Sequence, residues 1–182
     1  MAMQDDVTDG VRHLIDKGIA DPRRICISGA SYGGYAALWG LIKTPELYRC
    51  GISLAGVSDL DELLSGRSDI NRKPALRESL LFRLNAGDSR KPEFAAVSPL
   101  KQVARIRSPV LVVWGEQDRR VPPEQSERMV AALKANDKTY QWHSYRREAH
   151  GLVYVGNIRE HYRELLDFLD RNLNEKPATP GS

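Results

Sequence analysis

Four short runs rich in β-branched and aromatic residues, at 24–28, 50–54, 109–114 and 139–145, alternate along this chain with segments of helical periodicity. That alternation constrains the fold more than any single motif. Strands joined by helical crossovers pair in parallel, and the helices then cover the sheet. The run PVLVVW at 109–114 is the most apolar of the four, as a central parallel strand requires. Ahead of the first strand, Val7, Val11, Leu14 and Ile15 share one helical face, with Asp5 or Asp6 placed to cap its start and Gly18 to end it. A second helix, 32–43, stops before Thr44-Pro45. A third, 124–135, follows Pro122-Pro123 and turns Met129, Ala132 and Leu133 inward, while Ile158, Tyr162, Leu165, Leu166 and Leu169 mark a closing helix.

The expected architecture is therefore an α/β domain over residues 1–175, its sheet mostly parallel and flanked by helices, with a flexible tail at 176–182. Between the second and third strands, residues 58–107 form a long polar excursion that holds Leu63, Leu64, Leu80, Leu81, Phe82 and Leu84. One or two short helices over the sheet edge fit this pattern. They form either a pocket wall or a connection with no ligand role.

With 41% hydrophobic and 28% charged residues, the composition is close to that of an ordinary globular domain and argues against disorder. No apolar stretch approaches the ~20 residues of a membrane span, and no basic start with an apolar run marks a leader. A cytoplasmic protein without membrane contact is expected. The 27 basic and 24 acidic residues are interspersed without a Lys/Arg block, which argues against nucleic acid as a partner. Cys26 and Cys50 each lie in a strand-like run and read as buried free thiols. No His/Cys cluster suggests a metal, and no cofactor is implied.

The chemistry concentrates at Gly29-Ala30-Ser31-Tyr32-Gly33-Gly34, directly after a strand and directly before a helix. This is the G-x-S-x-G nucleophile elbow in its required context. A serine on so tight a turn must clear its neighbours, so Gly29 and Gly33 are expected to leave room for the crossing backbone. The helix start beyond Ser31 offers oriented N–H groups to a developing negative charge. An elbow serine needs an orienting acid and a base, in that chain order. Asp118 ends the turn Gly115-Glu116-Gln117-Asp118 after the third strand, and His150 lies in Glu148-Ala149-His150-Gly151 after the fourth. Either residue alone is an ordinary turn or loop residue; their order on successive strand ends makes them a pair. Asp59 also follows a strand but in a poorer turn. His13, His143 and His161 fall on helix or strand and are read as structural.

The segments ADPRRICISGASYGGYAAL, GEQDRRVPPEQS and REAHG together resemble the catalytic α/β-hydrolase domain of the prolyl oligopeptidase family of serine peptidases, nearest its acylaminoacyl-peptidase and dipeptidyl-peptidase branches. The likeness implies Ser31 as nucleophile, Asp118 as acid, His150 as base and the Tyr32 backbone N–H as an oxyanion donor. Arg120 matches the arginine of the family's D-x-R-V-P turn, which binds a substrate carbonyl, although a surface ion pair would explain it equally. Val121 matches the apolar residue that lines the pocket for the residue before the scissile bond.

In that family the elbow strand is the fifth of eight, so this chain resembles a truncated α/β-hydrolase fold with the N-terminal strands, a propeller domain and the loop of the second oxyanion donor missing. Lack of one donor costs about 10²–10³ in kcat. The strand at 24–28 would also be left as an apolar edge that invites pairing, so a homodimer or higher oligomer is expected. The implied function is hydrolysis of short peptides or acyl-aminoacyl amides through an acyl-enzyme. The alternatives are a carboxylesterase acting on short acyl esters and a catalytically silent, self-assembling fragment.

Overall fold

Helix α1 (Ala2–Asp16) leads into strand β1 (Cys26–Ala30), helix α2 (Tyr32–Lys43) and strand β2 (Cys50–Leu54). Four short helices follow, α3 (Leu60–Ser65), α4 (Asp69–Arg72), α5 (Pro74–Leu84) and α6 (Phe94–Val97), then a 3₁₀ turn, Pro99–Arg105. Strand β3 (Val110–Gly115), helix α7 (Pro123–Ala135), strand β4 (Tyr140–Tyr145) and helix α8 (Val155–Leu173) complete the order. This computed structural model describes residues 2–66, 68–84 and 94–174. The tail expected at 176–182 and the side chains of Phe82 and Leu84 lie outside the described residues.

The four strands form one parallel sheet in the order β1-β2-β3-β4. Every residue of β3 is buried, which is why that run can be uniformly apolar. One face carries the larger core, where Leu38 and Ile42 of α2 meet Val110, Val112, Met129 and Leu133. On the other face Phe168 of α8 packs with Ile52, Leu111, Val113 and Tyr145. Among the described residues β1 pairs with β2 alone, so the sheet has an edge there.

Three expectations change. β1 runs from Cys26 to Ala30 and not over 24–28, because parallel pairing with β2 continues to Ala30↔Leu54, immediately before Ser31. Arg24 instead donates from Nη2 to Asn174 Oδ1 at 2.9 Å. Among its described residues the excursion holds four short α-helices and a 3₁₀ turn where one or two helices were expected. Local caps start some of them: Asp59 Oδ1 accepts from the N–H groups of Asp61 and Glu62, and Ser68 Oγ accepts from Asn71 N. Helices this short show too little periodicity to count by pattern.

The free-thiol reading is also replaced. Cys26 and Cys50 sit opposite each other in the β1–β2 register and form a disulfide, with Cα atoms 4.6 Å apart. Neither the number of cysteines nor their separation reveals a register, so the sequence hid the pairing. No helix among the described residues is long and apolar enough to cross a membrane.

Candidate active site

Strand β1 and helix α2 are separated by a single residue, Ser31, and the chain must reverse direction on it. Its backbone sits at φ 57° and ψ −118°, a conformation that costs a non-glycine residue of order 1–3 kcal/mol. The surrounding hydrogen bonds impose it: Ser31 N donates to Leu54 O at 2.8 Å, and Tyr35 N donates to Ser31 O at 3.1 Å. A Cβ placed on Gly29 would lie 2.4 Å from the Gly33 carbonyl carbon, so Gly29 makes the turn sterically possible. A Cβ on Gly33 would meet nothing within 4 Å, unlike the expectation for it. The second close approach is at Gly34, whose Cβ would lie 2.7 Å from Gly56 Cα.

Asp118 hangs from the C-terminal end of β3, with its N–H donating to Gly115 O at 3.2 Å. Its carboxylate is fully enclosed and divided between two tasks. Oδ1 accepts from Arg120 N at 2.8 Å and Val121 N at 3.0 Å, which fixes the turn. Oδ2 lies 2.7 Å from His150 Nδ1, and His150 Nε2 lies 2.8 Å from Ser31 Oγ. An ionised carboxylate only accepts, so Nδ1 carries the proton and Nε2 presents its lone pair to the serine hydroxyl. The three side chains form one hydrogen-bonded line across the C-terminal ends of β1, β3 and β4, where an open α/β sheet gathers its ligand-binding loops.

Tyr32 opens α2, which puts its N–H in the first turn at the positive end of the helix. A small apolar pocket beside Ser31 is lined by Tyr32, Tyr35, Val57, Leu63, Leu80 and Val121. Leu63 and Leu80 of the excursion line this pocket. Tyr35 donates its hydroxyl to Val97 O at 3.0 Å, and burial pushes its phenol pKa up, so it stays neutral. Arg120 is exposed, on a second and more polar cleft shared with Asp69, Arg119 and His150.

The other candidates have local duties. Asp59 is buried, caps α3 and pairs with Lys101 at 3.4 Å and Arg128 at 3.6 Å. His13 lies in the last turn of α1. His143 Nδ1 on β4 lies 2.6 Å from Glu164 Oε1 on α8. His161 is enclosed on α8, and burial lowers its pKa. With Glu160, the His143–Glu164 pair makes the one grouping among the described residues that brings three possible metal-ligand atoms within 4.8 Å. Sequence reasoning passed over Glu148. It lies between an arginine pair and a loop histidine in sequence, yet it is completely buried.

A parallel sheet covered on both faces, with a serine at the strand–helix elbow and its partners on later strand ends, is the fold of the α/β-hydrolase peptidases. Residues 2–176 match the prolyl oligopeptidase family, and the chain belongs to that family. It is 33% identical to dipeptidyl aminopeptidase BIII of Pseudoxanthomonas mexicana over 85% of this chain and 22% of that protein. Its fold matches a puromycin-hydrolyzing peptidase of Mycobacterium tuberculosis with a TM-score of 0.80 and 28% identity, covering 97% of this chain and 26% of that one. An acylaminoacyl peptidase of Pyrococcus horikoshii matches with a TM-score of 0.78 and 27% identity, over 98% and 28%. The chain thus spans about a quarter of the length of the proteins it matches.

Proposed function

We propose that this chain carries the acyl-transfer centre of a serine peptidase. Ser31 Oγ attacks the carbonyl carbon of an amide while His150 Nε2 takes the hydroxyl proton. Asp118 holds the imidazole tautomer and stabilises the imidazolium. The carbonyl oxygen, now negative, is met by the Tyr32 N–H at the head of α2. Imidazolium then returns its proton to the leaving amine, the C–N bond breaks, and water repeats the sequence to free the acid from Ser31. The observation that carries this reading is the continuous line Ser31–His150–Asp118, with contacts of 2.8 and 2.7 Å.

The substrates are short peptides or acyl-aminoacyl amides, in keeping with relatives named dipeptidyl aminopeptidase and acylaminoacyl peptidase. The apolar lining beside Ser31 favours an apolar side chain before the scissile bond, with Val121 as one wall. Arg120, on the lip of the neighbouring cleft, is assigned to a carbonyl of the bound peptide. Esters have better leaving groups and pass through the same acyl-enzyme, so a short p-nitrophenyl ester is turned over as well. The Cys26–Cys50 disulfide favours an oxidising compartment over the cytoplasm expected from sequence.

Intact-mass analysis after exposure to a fluorophosphonate tests the centre. A single adduct is expected on the wild type and none on Ser31→Ala. A folded wild type that takes no adduct overturns the reading and leaves the silent, self-assembling fragment in its place. The edge of β1 is assigned to pairing with a second copy of this chain. Light scattering at micromolar concentration is expected to give a dimer or larger, and a clean monomer removes that assignment.

A further inference from the structure

The loop carrying His150 is closed by the side chain of Glu148, two residues earlier. Glu148 Oε2 accepts from Val153 N at 2.9 Å, and Oε1 accepts from Tyr154 N and Asn157 Nδ2, each at 2.9 Å. These bonds tie residues 148–153 into a ring with His150 inside it. Ala149 and Gly151 bridge across the histidine, and Gly151 takes a φ of 149°, which favours glycine. The same carboxylate holds the N–H of Tyr154, the residue before α8, and the side chain of Asn157 in its first turn, where a negative charge suits the positive end of the helix.

The backbone of Glu148 faces the other way. Its carbonyl accepts from Gln117 N at 2.9 Å, inside the turn that presents Asp118. A Cβ on Gly115 would stand 2.4 Å from that oxygen, so the two loops press together directly. One residue therefore joins three things: the acid's turn through its carbonyl, the base's loop through its ring, and α8 through its carboxylate. Burial works to raise the Glu148 pKa, but its three donors outweigh that and hold it below the ordinary carboxylate value, so it stays charged at neutral pH.

We infer that Glu148 is a positioning residue for His150, setting the height and angle at which the imidazole meets both Asp118 and Ser31. The inference rests on the reading of His150 as the base. Displacement of a catalytic group by about 1 Å costs on the order of 10² in rate. Glu148→Gln keeps the shape but turns an amide N–H₂ toward one of the three donors.

The test combines two readouts. One is the rate of Ser31 labelling by the fluorophosphonate; the other is the downfield proton resonance of His150 Nδ1–H on Asp118, which needs no turnover. Glu148→Gln is expected to slow labelling by about 10²-fold and to abolish or broaden the resonance. Glu164→Ala removes the partner of His143 Nδ1 and of the Tyr145 hydroxyl, between β4 and α8, but leaves the loop closed. It is expected to lower Tm while labelling at the wild-type rate, which separates positioning from a general weakening of α8. Asn157→Ala removes one donor and keeps the charge, so it serves if Glu148→Gln does not fold, with a slowing of a few fold expected. Glu148→Gln labelling at the wild-type rate, or retaining the resonance, overturns the inference. A wild type that shows the resonance but takes no label counts against Ser31 as nucleophile, and the resonance then decides the role of Glu148 alone.

Discussion

Replacing Asp118 with asparagine is expected to slow acylation of Ser31 by about 10⁴-fold with little change in stability. The two carboxylate oxygens do different work, and an amide can preserve only one task. Oδ1 accepts from two backbone N–H groups, of Arg120 and Val121. An amide nitrogen in that place would set donor against donor twice over, so the amide oxygen must take it, and the turn survives. The amide N–H₂ then points at His150 Nδ1, which has to accept. The ring proton moves to Nε2, where it faces the Ser31 hydroxyl instead of a lone pair, and the base is lost. Hydrolysis of a p-nitrophenyl ester measures the effect, with circular dichroism confirming the fold. An asparagine variant within tenfold of wild type would remove Asp118 from the proposed mechanism.

The elbow glycines are expected to separate sharply. In Gly29→Ala the new methyl would lie 2.4 Å from the carbonyl carbon and oxygen of Gly33 and 2.7 Å from its Cα. Those are backbone atoms in the first turn of α2 and cannot swing aside. Overpacking of this kind costs about 3 kcal/mol or more, equivalent to a fall in Tm of roughly 6–12 °C for a chain of this size. Labelling by the fluorophosphonate should disappear as well, since Ser31 lies between the two clashing residues. Gly33→Ala meets open space and improves helix propensity, so its Tm should match or exceed wild type. Thermal melts of the pair decide it. Equal losses would mean that the contact between Gly29 and Gly33 is not what limits the turn.

Much of this architecture was legible because strong local signals agreed with tertiary need. The bounds read for α2 and β2 match the structure, since a proline stops the helix and a dense apolar run marks the strand. Ser31, Asp118 and His150 were legible together because strand–turn–helix context and chain order restrict the choice. What stayed hidden depends on register or on long-range contact. The last two residues of β1 belong to the strand because of their pairing with β2, not their composition. The disulfide follows from the same register. Glu148 was obscured because its partners, Val153, Tyr154 and Asn157, are backbone groups and a helix residue whose direction no pattern specifies. Gly33 drew attention as part of the motif, while the tighter contact lies one residue later at Gly34.

The four strands lie side by side in the order in which they leave the ribosome. Each new strand can dock on the one made just before it, so this sheet can grow during synthesis without waiting for a distant segment. Ser31 is made just after β1, Asp118 after β3 and His150 after β4. Ser31 is therefore a passive hydroxyl while the next three strands are being added. The hydrogen-bonded line through Ser31, His150 and Asp118 can form only after the loop around His150 has closed onto the start of α8, the last helix to be made.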